Sequence, residues 1–161
     1  MLTDEVAAIV HEMVGQPCCR AEVGWLRSLS VGFGNLIPVK GLRGQIKEYG
    51  EWEAGVYFNS WRIIRDGKVL CGSRDSVDTV EELDLALKNI TFGKFVSLQQ
   101  LTAFDIRIEC DNRVIIDFLI TQSGEEEGFH IFCPRNRIVT FTVKDGWRVG
   151  PADGPWKDIK R

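Results

Sequence analysis

Hydrophobic and polar positions alternate with period two from Phe104 to Ile120, on either side of the polar break Asp111-Asn112-Arg113. That pattern predicts a β-hairpin whose register can be tested from the letters. With the two-residue loop Asp111-Asn112, Ile106 would face Asp117 and Cys110 would face Arg113, mixing apolar with charged partners. With the three-residue loop Asp111 to Arg113, a type I turn closed by a bulge, Ile106 faces Phe118, Ile108 faces Ile116 and Cys110 faces Val114. Arg107 then faces Asp117 on the other side, which reads as a surface ion pair. A slip of one residue would undo the sorting, so the second register is the expected one.

The same patterning divides the rest of the chain. Val6, Ile9, Val10, Met13 and Val14 recur at helical spacing, predicting a helix over 3–14 with Thr3 as N-cap and Gly15 as stop. Trp25, Leu29, Val31 and Phe33 share one side of a half-buried strand over 25–33, and the Gly-rich stretch 34–44 with Pro38 reads as a loop. Strands are expected over 51–58 and 60–65. The Asp66-Gly67 turn pairs Ile63 with Leu70 and Ile64 with Val69, which makes both faces at least partly buried and places this hairpin centrally in the sheet. Val80, Leu83 and Leu87 form the inward stripe of a second helix over 79–88, with Thr79 and Glu82 at capping-box spacing. Further strands are expected over 92–101, 129–133 and 137–144, the last leading through Asp145-Gly146 to Trp147 and Val149. The fold class is therefore α+β, a mostly antiparallel β-sheet of consecutive hairpins with two short helices. Residues 1–161 read as a single domain, with a loose C-terminal tail at 150–161.

Composition narrows the function classes. The net charge of −3 over 161 residues argues against direct nucleic-acid binding, which draws on a basic excess. Asp4 and Glu5 occupy the place where a signal peptide carries positive charge, and no run approaches the roughly 18 apolar residues of a membrane span. The five cysteines, Cys18, Cys19, Cys71, Cys110 and Cys133, are odd in number and form no C-x-x-C. A cytoplasmic protein with free thiols and no membrane association is expected.

Candidate chemistry is sparse. His130 and Cys133 make an H-x-x-C, but they alternate to opposite faces of a strand and lack a second ligand pair, so neither a metal nor a cofactor is expected. Asp105, Glu109 and Asp117 are the carboxylates a small hydrolase could use. Arg107, Arg135 and Arg137 lie near aromatic residues, as in a nucleic-acid-binding sheet. Two acidic clusters remain: Asp75, Asp78, Glu81, Glu82 and Asp84 around the second helix, and Glu125, Glu126 and Glu127 in the loop SGEEEG. Either solvates a surface or attracts a basic partner. Trp52 and Trp61 are expected in the core, and Trp156 in the tail is the aromatic most available to a partner.

The runs YGEWEAGVYFNSWRIIRDGKVLCGSRDSVD, LDLALKNITFGKFVSLQQ, FDIRIECDNRVIIDFLI and FHIF together resemble a family of small bacterial proteins. These are similar to the immunity proteins encoded beside contact-dependent growth inhibition and other polymorphic toxins. The likeness covers about residues 25 to 150 and is one of pattern: a Trp-containing strand, a D-G-K hairpin, a short acidic helix and a second hairpin. It implies a cytoplasmic protein that binds and neutralises one cognate toxin without catalysis, the toxin being a basic nuclease-type domain. Asp78, Glu81, Glu82, Asp84, Glu125, Glu126, Glu127 and Trp156 are the expected partner-binding residues, taken from charge and exposure and not from the resemblance. Self-association stays open.

Overall fold

The chain folds as two antiparallel sheets whose inner faces share one hydrophobic core. The computed structural model describes residues 1–123 and 128–152. The first sheet contains β1 (Cys18–Val23), β2 (Leu29–Lys40), β3 (Ile46–Val56), β9 (Phe129–Cys133), β10 (Arg137–Thr142) and β11 (Gly146–Pro151), in that spatial order. The second contains β4 (Ser60–Arg65), β5 (Lys68–Gly72), β6 (Phe95–Gln100), β7 (Ile106–Cys110) and β8 (Val114–Leu119), in the order β5-β4-β8-β7-β6. Phe33 meets Phe95 edge-on at 5.5 Å, and Phe118 meets Phe129 at 4.9 Å, so aromatic pairs join the two inner faces. Trp52 and Trp61 are buried in this core, as are Cys71 and Cys110.

Two helices close the sides. In α1 (Asp4–Met13) the Thr3 hydroxyl accepts from the Val6 N–H at 3.3 Å, and Val6, Ile9, Val10 and Met13 are buried. In α2 (Val80–Lys88) the Thr79 hydroxyl accepts from the Glu82 N–H, and Leu83 and Leu87 are buried. The first helix packs on β6 and β11, the second on β1 and β5. Each therefore touches one edge strand of each sheet, and all four edges gain cover against stray pairing.

The β7–β8 hairpin has the three-residue register: Ile106 lies opposite Phe118, Arg107 opposite Asp117 and Ile108 opposite Ile116. Arg113 takes the left-handed conformation (φ 62°) that closes the bulge. Several other expectations are corrected. The strand expected over 25–33 begins only at Leu29. Residues Trp25–Arg27 instead form a short 3-10 turn, with Leu26 and Arg27 left-handed, which turns Trp25 out of the core. The stretch 34–44 is not one loop: β2 runs on to Lys40 and pairs with β3 as a long arm, because Leu36 to Val39 keep extended conformation beyond a bulge. The Asp66-Gly67 turn is present with both residues at positive φ, and Ile64 pairs with Val69. A bulge then shifts Ile63 to Cys71, and β5 lies at a sheet edge with Lys68, Val69 and Leu70 exposed. At the C-terminus, Gly150 and Pro151 belong to β11, and Ala152 is buried with Phe132 and Ile138, so the described part of the tail is held.

Candidate functional site

The turn at Trp25–Arg27 is a strained segment, with two consecutive non-glycine residues at φ 54° and 59°. It is held from several directions. The Gly24 N–H donates to the Ser28 carbonyl at 2.9 Å. The Arg27 guanidinium donates to the carbonyls of Ser73 (2.9 Å), Asp75 (2.8 Å) and Val77 (3.4 Å), and the Trp61 indole N–H donates to the Arg27 carbonyl at 2.8 Å. Trp25 and Leu26 project outward as a result, 81% and 56% exposed.

The turn stands beside the N-terminal half of α2, since Arg27 reaches Val77 and the neighbouring Val23 N–H donates to Asp84 at 2.8 Å. Asp78, Glu81 and Glu82 are exposed there. Glu82 also accepts from the Asp78 N–H at 3.1 Å, which fixes the helix entry. Asp84 differs from its neighbours. It satisfies the outward N–H of edge strand β1 and pairs with Lys88, so it is a structural link as well as an acid. Glu125, Glu126, Glu127 and Trp156 lie outside the described residues.

The three carboxylates of the hydrolase reading do not converge. Asp105 accepts from the Ile120 N–H and the Thr102 hydroxyl, and Glu109 accepts from Gln99. Asp117 is not part of a surface pair: it has no accessible surface, with Arg107 bidentate at 2.7 and 3.0 Å and Arg62 at 2.9 Å. The arginines of the nucleic-acid reading are likewise matched to acids, Arg107 to Asp117, and Arg135 and Arg137 to Glu12. The two guanidiniums hold the Glu12 carboxyl below its usual range.

A second constellation lies on the outer face of the six-stranded sheet. Strand register lines up Glu22, Ser30, Gly55, His130 and Thr140 in one row, and Arg20, Gly32, Glu53, Phe132 and Ile138 in the next. Beyond the bulge, the β2–β3 arm folds over these rows. Tyr49 lies 4.9 Å from the Arg20 guanidinium, and Lys47 pairs with Glu22 at 2.8 Å. Two glycines allow this approach: a Cβ on Gly50 would come within 2.7 Å of Gly32 Cα, and one on Gly32 within 2.5 Å of a Glu53 oxygen. The Glu53 carboxylate, 2% exposed, accepts from Arg20, from the Ser30 hydroxyl at 2.6 Å and from the Gly50 N–H at 2.7 Å. Burial raises its pKa against the pull of Arg20 and these donors.

His130 stacks on Tyr57 at 4.7 Å and tilts against Phe132 at 5.2 Å. Burial alone brings its pKa down to about 3, so the ring is neutral near pH 7. Cys133 points to the opposite face, where burial pushes its thiol up to about 12 and its Sγ donates to the Ile131 carbonyl. Sequence reasoning missed Glu53 and Ser30. The available signal was parity: Glu53 sits between Trp52 and Ala54, which assigns it to the non-core face.

No family model, no curated protein and no solved structure matches this chain. Among the described residues no helix is long and apolar enough to cross a membrane.

Proposed function

We propose that this protein is a cytoplasmic immunity-type protein, which binds a basic, nuclease-type toxin domain and neutralises it by occupancy instead of catalysis. The observation carrying this reading is the pairing of an exposed aromatic-aliphatic knob, Trp25 and Leu26, with the exposed acids Asp78, Glu81 and Glu82 beside it. A rigid apolar anchor with a charged border is the usual anatomy of a protein-binding hot spot. Strain in a turn held by so many hydrogen bonds is also what a presented binding residue costs. The acids complement the basic groove of a nuclease, and long-range attraction speeds encounter.

The test is co-expression with the product of the adjacent reading frame, followed by kinetics of the purified pair. Trp25→Ala should speed dissociation at least about tenfold, as expected for a hot-spot aromatic. Lysines at Asp78, Glu81 and Glu82 should mainly slow association and flatten its salt dependence. A complex that forms with unchanged kinetics in both variants would move the interface elsewhere. Failure to form any complex would remove the immunity reading.

A further inference from the structure

Beneath the folded-over β2–β3 arm, the outer face of the six-stranded sheet forms a partly open cavity of about 150 Å³. Ser30 and His130 both line it, and Gly55, which lies between them in the same row, adds no side chain. A Cβ at Gly55 would stand 2.2 Å from the Leu29 carbonyl oxygen and 3.4 Å from His130 Nε2, so the backbone packing excludes a side chain at this position. The walls are the His130–Tyr57 stack and Phe132, and Tyr49 lines the cavity from the arm. Ser28, Ser30 and Glu53 bring polar atoms to one space from separate strands and turns.

A void of this size admits a single benzene-sized ring. An apolar void would stay dry, but this one carries hydroxyls and a carboxylate, which favours a ring with polar edges. The charged side chains at the cavity are already balanced: Glu53 is paired with Arg20, and Glu22 with Arg20 and Lys47. A charged ligand would add a net charge to this balanced set or compete with its pairs, whereas a neutral ring leaves them intact.

We infer that this cavity is a binding site for a small neutral heteroaromatic ligand, one ring in size, which stacks against the His130–Tyr57–Phe132 wall and exchanges hydrogen bonds with Ser30 and Glu53. The site adjoins the base of the Trp25 turn at Gly24 and Ser28, but neither Trp25 nor Leu26 lines it, and the inference does not depend on the toxin reading.

The experiment is an amide NMR titration of the whole chain with three single-ring probes: neutral uracil, anionic benzoate and cationic benzamidine. Uracil should give saturable shifts confined to residues near 28–32, 47–57 and 130–132, with a dissociation constant in the millimolar range or tighter. Benzoate and benzamidine should bind at least about tenfold more weakly. Tyr49→Ala removes a lining ring and should weaken uracil at least about fivefold. Ser30→Leu should abolish the shifts by filling the void, and an otherwise wild-type spectrum shows that each variant is folded. No saturable shifts with any probe, or shifts scattered over the surface, would overturn the site. Equal or tighter binding of a charged probe would overturn its assigned chemistry.

Discussion

Arg107 holds Asp117 through two parallel hydrogen bonds, 2.7 and 3.0 Å long, directly across the β7–β8 ladder. Arg62 approaches the same carboxylate from β4, on the other side of β8. Three strands are thus tied by one acid that water does not reach. Asp117→Ala leaves two arginines without their anion and should cost about 3 kcal/mol or more in urea unfolding. Arg62→Ala, which removes the more exposed partner, should cost clearly less. Equal losses from the two would mean that the pairing is not what stabilises this face.

The pH dependence of stability has two opposed contributions on the outer face. An unfolded histidine takes up its proton near 6.5, whereas His130 in the fold does so only near 3. The unfolded state therefore binds more protons between these values, and stability falls as pH drops through that window, by up to about 1.4 kcal/mol per pH unit. Glu53 acts in the other direction. Its raised pKa means that the fold holds the proton above 4.5, so its contribution falls as pH rises through that region. His130→Phe should be compared with wild type in urea from about pH 7 to about pH 4, and its advantage should grow as pH falls. A difference independent of pH would contradict a buried neutral imidazole.

Thiol reactivity should follow burial. Cys71, Cys110 and Cys133 are buried with thiols pushed up to about 12, and burial does the same to Cys18. Cys19 is raised less. Titration of the native protein with an aromatic disulfide reagent at mild alkaline pH should modify Cys19 first and leave the buried thiols for a slow phase limited by opening. In denaturant all five should react. Detection of only three or one would demonstrate a disulfide.

The acids of α2 should separate by role. Asp84→Ala removes the acceptor of the Val23 N–H and should cost about 1–2 kcal/mol. Glu81→Lys is exposed and should stay within about 0.5 kcal/mol of wild type. Thermal melts of the two variants decide this. Equal stability would show that Asp84 does not secure the β1 edge.

Arg113 occupies a left-handed position that glycine would take without strain. Arg113→Gly should raise stability by about 0.5–1 kcal/mol, since the ion pair it loses with Asp66 is highly exposed. A loss of stability would assign the arginine a packing role that outweighs its backbone cost.

Much of the fold was legible because local chemistry fixed it. Thr3 and Thr79 announced the helix starts, and the sorting of Ile106, Ile108, Phe118 and Asp117 admitted one hairpin register. Less was legible at the candidate sites. Asp78, Glu81 and Glu82 were found from charge and are exposed, but Trp25 was assigned to a buried strand face. Period-two spacing cannot report that Leu26 and Arg27 break the strand with positive φ. That break is stabilised by carbonyls from residues 73–77, contacts the local sequence does not contain.

Alternation along the sequence determined which side of each strand a residue faces, because that depends only on the pleat. Tertiary structure alone decided what covers each side. Beyond their hairpin neighbours β2 and β7, β3 and β8 pair with the distant strands β9 and β4, and the curl of the arm depends on Gly32 meeting Gly50. Asp117 and Glu53 both sit on the non-core side by parity, where an acid is ordinarily solvated. Both are buried, because arginines close over them, for Asp117 from the two neighbouring strands and for Glu53 from β1 across Gly32 of β2, where the folded arm adds cover. Burial of a charge is a property of what is brought to it through space, and no local pattern encodes it.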